Sequence, residues 1–350
     1  MSASKRILLP LSAAVVAILL TAMVLVAAEL AVRYFSDVSF LGSSRDLFTS
    51  NRFGNVRGNT PNVRVISFGE EVFTDSEGFR VPSARYTYPD ASARTVLFLG
   101  DSVAFGPGVP EEQTFIGLLR KDHPDWTFYN SGVIAYFIQD YKAVLDVVLT
   151  RHKHISDVYL VYVLNDVTQI SAQDLQSVGE QHKEPRVNDL TQNWVDQVRK
   201  VRLISRANEF LSNHSKLYVY LKGHISDPGR RYFFADWQHY RNRQVVSEAI
   251  DAIDAIATRL KSANVPFTVV LSPYEFQLRA HHDADDVDVL LPQRVIGKHL
   301  RDRGIRYVDA LGWFQADGAR NGADYFLRFD PMHLSSKGHE VMYRGIRELL

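Results

Sequence analysis

The sequence predicts an α/β domain in three layers, a parallel sheet with helices on both faces, preceded by one N-terminal transmembrane helix. Three observations carry this. Short apolar runs alternate with helical-period segments from about residue 94 to the end of the chain. A long apolar stretch opens the chain. The most compact apolar run, Val96-Leu97-Phe98-Leu99, leads straight into Gly100-Asp101-Ser102 and then a segment of helical spacing. Strand–helix alternation implies a parallel sheet covered on both faces, because each crossover needs a helix to return the chain.

From the N-terminus, Ile7 to Ala28 is apolar apart from Ser12 and Thr21, with Pro10 near its start. About 22 residues at 1.5 Å each reach roughly 33 Å, enough for a bilayer core. Lys5 and Arg6 precede the run, and the positive-inside bias holds that end in the cytoplasm. The remainder is then expected beyond the inner (cytoplasmic) membrane, on the periplasmic or extracellular side. A cleaved signal peptide is the rival, with Val26-Ala27-Ala28 as the cleavage site. Length favours the uncleaved anchor, with Glu29 and Arg33 at the interface. Residues 1–35 are therefore assigned to a cytoplasmic stub and anchor.

Residues 36–93 mix Gly, Pro and Asn with short alternating runs such as Val63-Arg64-Val65-Ile66-Ser67-Phe68. They predict short strands and loops packed on the main domain. The main domain is assigned to 94–350. Strands are predicted near 95–99, 127–130, 157–164, 266–271 and 305–309, and helices near 112–122, 138–152, 243–263, 292–303 and 336–349. The stretch 171–242 breaks the rhythm and predicts a helical insertion, with a helical pattern near 192–223 and aromatic residues at Tyr232-Phe233-Phe234 and Trp237. Such an insertion builds a lid, a substrate wall or extra packing.

The 350 residues include 40 basic and 40 acidic side chains, so there is no formal net charge and no support for a nucleic-acid partner. Cysteine is absent, which excludes disulfides, thiolate catalysis and cysteine-ligated zinc. His281-His282-Asp283-Ala284-Asp285-Asp286 crowds metal-ligand types together without a spacing that aims them at one point, so a solvated loop is the better reading. His152-Lys153-His154 suits a helix C-terminus. No phosphate-binding glycine loop is present, and no cofactor is called for.

Ser102 follows a predicted buried strand, and Asp330-Pro331-Met332-His333 lies near the other end of the chain. Serine is a weak nucleophile at neutral pH. It needs a base within hydrogen-bond reach, and the base needs a third group to fix its tautomer. Asp and His three residues apart can share one turn. Taken singly, each feature has a plain structural reading: Ser102 as a helix N-cap, Asn165-Asp166 as a strand-ending turn, Gly132 as a turn glycine, His333 as a packing residue.

Together, the blocks resemble the SGNH/GDSL family of ester hydrolases. Gly100-Asp101-Ser102 matches the first block, Gly132 in Tyr129-Asn130-Ser131-Gly132-Val133 the second, Val163-Leu164-Asn165-Asp166 the third in part, and Asp330 with His333 the last. Val163 stands where the family usually has glycine. Gly78-Phe79-Arg80 resembles a segment that often precedes the first block in membrane-anchored members. The resemblance implies a flavodoxin-like sheet, Ser102 as nucleophile, His333 as general base and then acid, and Asp330 as its orienting carboxylate. The backbone N–H of Ser102, the backbone N–H of Gly132 and the side-chain amide of Asn165 are the implied oxyanion donors, because acyl transfer builds a negative oxygen that fixed donors must meet. The expected partner is an acylated glycan or other small ester, most plausibly an O-acetyl group on a cell-envelope or exported glycan. Two alternatives stay open: an O-acyltransferase using the same triad, and a non-catalytic scaffold of a polysaccharide-export system.

Overall fold

The computed structural model describes residues 3–152, 154–167, 202–279, 288–318 and 322–350. Its centre is an eight-stranded sheet. Before it, β1 (Phe48–Phe53) and β2 (Val56–Asn59) pair as a separate antiparallel hairpin. The large sheet contains β3 (Arg64–Ser67), β4 (Glu70–Thr74), β5 (Arg80–Val81), β6 (Thr95–Gly100), β7 (Thr127–Asn130), β8 (Asp157–Tyr162), β9 (Phe267–Leu271) and β10 (Arg306–Asp309), in the spatial order β10-β9-β8-β6-β7-β5-β4-β3.

The five strands from β6 onward are parallel and take the flavodoxin-like order, with β6 between β7 and β8. The crossover from β6 to β7 runs one way across the sheet and the crossover from β7 to β8 runs back the other way. Right-handed connections therefore put their helices on opposite faces. Phe115–Asp122 packs with the last helix, Ser336–Arg347, and Ile138–Arg151 packs with Arg243–Ser262. Every residue of β8 is buried, as is Val96 through Gly100 of β6, which is why these strands read as continuous apolar runs. The strand order reverses at β6, and Ser102 stands just past the carboxyl end of that strand, the place where open α/β sheets bind ligands.

The sheet is mixed rather than wholly parallel. Strands β3, β4 and β5 continue it antiparallel beyond β7, so the stretch 36–93 does more than pack on the domain surface. The predicted insertion is described only from residue 202. There it comprises helices Arg202–His214, Lys216–Ile225 and Pro228–Trp237. Ser215 separates the first two, its hydroxyl accepting from Tyr218 N at 3.0 Å to cap the second. The aromatic cluster packs inward: Phe233 and Phe234 lie on Phe276 at 4.9 and 5.5 Å between ring centroids. The His281–Asp286 cluster lies outside the described residues.

The first helix is Ala3–Phe35, and its stretch Ala13–Phe35 is long and apolar enough to cross a membrane, with a mean hydropathy of 2.6 over its 18-residue apolar window. It continues one helix past the apolar run, and its last turns dock. Glu29 accepts from Ser215 Oγ (2.7 Å), Lys216 N (3.0 Å) and Leu217 N (2.9 Å), while Arg33 donates to Glu29 and to His214 O. A carboxylate here meets the free N–H groups and the positive end of helix Lys216–Ile225.

Candidate active site

The end of β6 turns sharply at Asp101, whose carboxylate accepts from Val103 N at 2.8 Å and starts the short helix Ser102–Phe105. Asp101 is the N-cap, and Ser102 is the first helical residue. Opposite it, Asp330 Oδ1 accepts from Met332 N (3.2 Å) and His333 N (3.1 Å), folding Asp330–His333 into one turn. That turn brings Asp330 Oδ2 to 2.6 Å from His333 Nδ1, and His333 Nε2 to 2.8 Å from Ser102 Oγ. A carboxylate can only accept, so Nδ1 carries the proton and Nε2 presents its lone pair to the serine hydroxyl. Burial pushes the His333 imidazole down, but the neighbouring Asp330 carboxylate, aided by Asp101, outweighs it and holds the pKa above the ordinary value.

Of the three implied oxyanion donors, two are engaged by side chains near Ser102. Asn165 directs its amide Nδ2 to Asp101 Oδ2 at 3.3 Å; the same oxygen lies 3.2 Å from Ser102 Oγ and competes with the nearer His333 Nε2 for the one hydroxyl proton. Val163 in place of glycine leaves this intact. Val163 N donates to Asp166 Oδ2 at 2.7 Å and Val163 O accepts from Asp166 N at 3.0 Å, so the turn closes through Asp166 with no left-handed residue at 163. Tyr141 Oη donates to the other oxygen of Asp166. Gly132 backs directly onto the nucleophile loop: a Cβ there would lie 2.5 Å from Phe105 N and 2.9 Å from Asp101 O, so no larger residue fits. Its N–H points to Asn130 Oδ1 at 3.1 Å, a bond it would have to share or give up to meet an oxyanion.

Two groups close to the site carried no role in the sequence reading. Arg80 is fully buried, and its guanidinium donates to the carbonyls of Phe105, Gly106 and Val109, gathering the loop that follows the nucleophile helix. Burial, with Arg120 nearby, pushes its pKa down to about 9. The segment Gly78-Phe79-Arg80 was a visible signal, but nothing local said where the guanidinium would reach. Asp236 in helix Pro228–Trp237 accepts from Tyr274 Oη at 2.6 Å, and burial pushes its carboxyl up to about 7. Tyr274 adjoins the Asp330–His333 turn, since Glu275 N donates to Pro331 O at 2.8 Å. This pair has no sequence signature. His339, in the last helix, packs into the core: it is buried, its Nδ1 accepts from Phe115 N at 3.3 Å, and its ring stacks on Phe115.

No family model matches the chain, and no curated protein matches it. Solved structures similar to it include an acetylxylan esterase from Geobacillus stearothermophilus, at 15% identity over 74% of this chain and 94% of that one, with a TM-score of 0.40. A lipolytic protein of the G-D-S-L family from Desulfitobacterium hafniense DCB-2 is similar at 12% identity over 73% and 99% of the two chains, TM-score 0.40. The acetyl xylan esterase AlAXEase is similar at 15% identity over 73% and 99%, TM-score 0.41.

Proposed function

We propose that this chain is a serine ester hydrolase of the SGNH/GDSL type, anchored by its first helix and acting on O-acyl groups beyond the inner membrane. The observation that carries the reading is the linked pair of contacts, 2.6 Å from Asp330 to His333 and 2.8 Å from His333 to Ser102, assembled from opposite ends of the sequence. In this reading Ser102 Oγ attacks the acyl carbonyl as His333 Nε2 takes its proton. The tetrahedral oxyanion forms toward Ser102 N, Gly132 and Asn165. His333 then protonates the departing alcohol, and the same imidazole activates water to release the acid from Ser102. Asp330 keeps the tautomer throughout.

Ser102 is 3% exposed, which suits a small acyl group, and acetyl on a cell-envelope or exported glycan is the proposed substrate. The same cover favours a second reading, transfer of the acyl group to a glycan hydroxyl, because transfer needs water kept from the acyl-enzyme. Product analysis with an acetyl donor, with and without a glycan acceptor, separates the two.

The direct test is covalent labelling by a fluorophosphonate followed by peptide mapping. Ser102 is expected to carry the label, and Ser102→Ala to abolish both the label and at least roughly a thousandfold of kcat on 4-nitrophenyl acetate. Activity that survives the substitution would mean a different nucleophile.

A further inference from the structure

The tip of the β3–β4 hairpin breaks a local rule. Ser67 pairs with Glu70, so the loop is the two residues Phe68-Gly69, and both have positive φ, +52° and +90°. That sign pattern asks for Asn-Gly or Gly-Gly, because a Cβ is costly in the left-handed region and a bulky ring is an outlier there. Gly69 meets the demand and Phe68 does not. A strained residue persists where its surroundings over-determine it, and such places cluster at functional sites.

The surroundings are on the page. The Phe68 ring lies edge-on to the His333 imidazole, centroids 5.0 Å apart and planes at 76°. Leu327, whose N–H donates to His333 O at 2.8 Å, stands beside it. Both crowd Gly108, where a Cβ would lie 2.6 Å from Leu327 Cδ1 and 3.3 Å from Phe68 Cβ. The tip is held in place, with Phe68 N donating to Gly42 O at 2.7 Å and the hydroxyls of Ser43 and Ser67 2.7 Å apart. Under this cover His333 is only 8% exposed.

The chemistry says which half of an ester meets the ring. The carbonyl oxygen turns toward Ser102 N, Gly132 and Asn165. The leaving oxygen must come to His333 Nε2 to be protonated. Whatever that oxygen carries therefore lies on the histidine side of the carbonyl carbon, where Phe68 stands. We propose that Phe68 is a specificity-determining residue for the alcohol half of the ester, admitting slender or edge-presented alcohols and holding back broad ones. The proposal rests on the esterase reading above.

The test uses the full-length protein in detergent, as wild type, Phe68→Ala and Phe68→Gly. Glycine suits the positive φ, so that variant keeps the hairpin even where alanine strains it. Hydrolysis of ethyl and cyclohexyl acetate, followed by pH-stat, reads the alcohol side, and 4-nitrophenyl acetate and butyrate read the acyl side. The ratio of kcat/KM for cyclohexyl over ethyl acetate is expected to rise at least about tenfold in both variants, the scale of one steric increment in a pocket. The butyrate-to-acetate ratio is expected to stay near that of wild type. An unmoved alcohol ratio, or both ratios rising together, overturns the proposal. Fluorophosphonate labelling separates the two levels, since fluoride leaves and the alcohol half is absent. Labelling of Ser102 with an unmoved alcohol ratio removes the role of Phe68 and leaves the esterase reading standing. Absence of labelling in all three proteins removes both.

Discussion

At the residue scale, the Asp330 carboxylate both builds the turn and tunes the His333 imidazole. Its two oxygens divide the work, Oδ1 on the backbone N–H groups and Oδ2 on the imidazole. On the proposed mechanism the free-enzyme kcat/KM needs neutral His333, so it is expected to rise with pH through a midpoint above the ordinary imidazole value of about 6.5. Asp330→Asn should move that midpoint to lower pH and cut kcat by about 10⁴; a pH–rate profile on 4-nitrophenyl acetate measures both. Asn165→Ala should lower kcat by about 10²–10³ with a smaller change in KM, and an effect of only a few fold would place the oxyanion donor elsewhere. The positions of Ser102, Gly132 and Asn165 were legible because each follows a buried strand, and those of Asp330 and His333 because three-residue spacing lets them share one turn. Arg80 was not, because a buried guanidinium is identified by the carbonyls it collects, and those lie 25 to 29 residues ahead of it. Arg80→Ala would leave three buried carbonyls without their donor and should cost about 3 kcal/mol or more of stability, read by denaturant unfolding.

At the element scale, the predicted strands and helices from 94 onward lie within a few residues of those observed, since buried parallel strands and amphipathic helices carry strong periodic signals. The strands before 94 were legible as short strands but not as members of the main sheet. Edge pairing is a long-range event, and β5 contributes only Arg80–Val81. The helix pair after residue 202 shows what periodicity misses. Its second member starts under a carboxylate from the far N-terminus. Glu29→Gln keeps the shape and removes the charge at that helix end, and should cost about 0.5–2 kcal/mol locally. The expected readout is faster amide exchange in Lys216–Ile225 with exchange in β8 unchanged. Protection that stays the same in that helix would mean its packing alone holds it. His339 gives a second element-scale test. Burial, with Arg80 nearby, pushes its pKa down to about 3, below the unfolded value. Its neutral form thus supports the fold fully above pH 6.5, and that support is lost as pH falls toward 3, at about 1.4 kcal/mol per pH unit. Relative to His339→Gln, the wild type should lose stability more steeply between pH 6.5 and 4 in denaturant melts.

At the scale of the whole molecule, residues 36–93 cannot be separated from the catalytic body without breaking the sheet. A chain beginning at Ser36 is expected to be soluble and active on a small ester. One beginning at Arg94 loses β3 to β5, Phe68 and Arg80 together, and is expected to be inactive and insoluble. Comparing the two by size-exclusion chromatography and ester hydrolysis settles the point. The route from first helix to catalytic turn is also short. Leu41 N donates to Ser212 O and Ser44 N to Ile66 O, so the backbone is engaged within nine residues of Phe35. Asp37 pairs with Arg328 at 3.3 Å, and Phe329, at φ +64°, lays its ring against His224 of the helix that Glu29 caps. On the anchored reading, then, the enzyme has no leash. A body of this size has a radius of gyration of about 20 Å, and on that reading the short connection would hold Ser102 near one height above the bilayer. On the proposed function, ester groups carried close to the membrane would come within its reach, and those farther out would not.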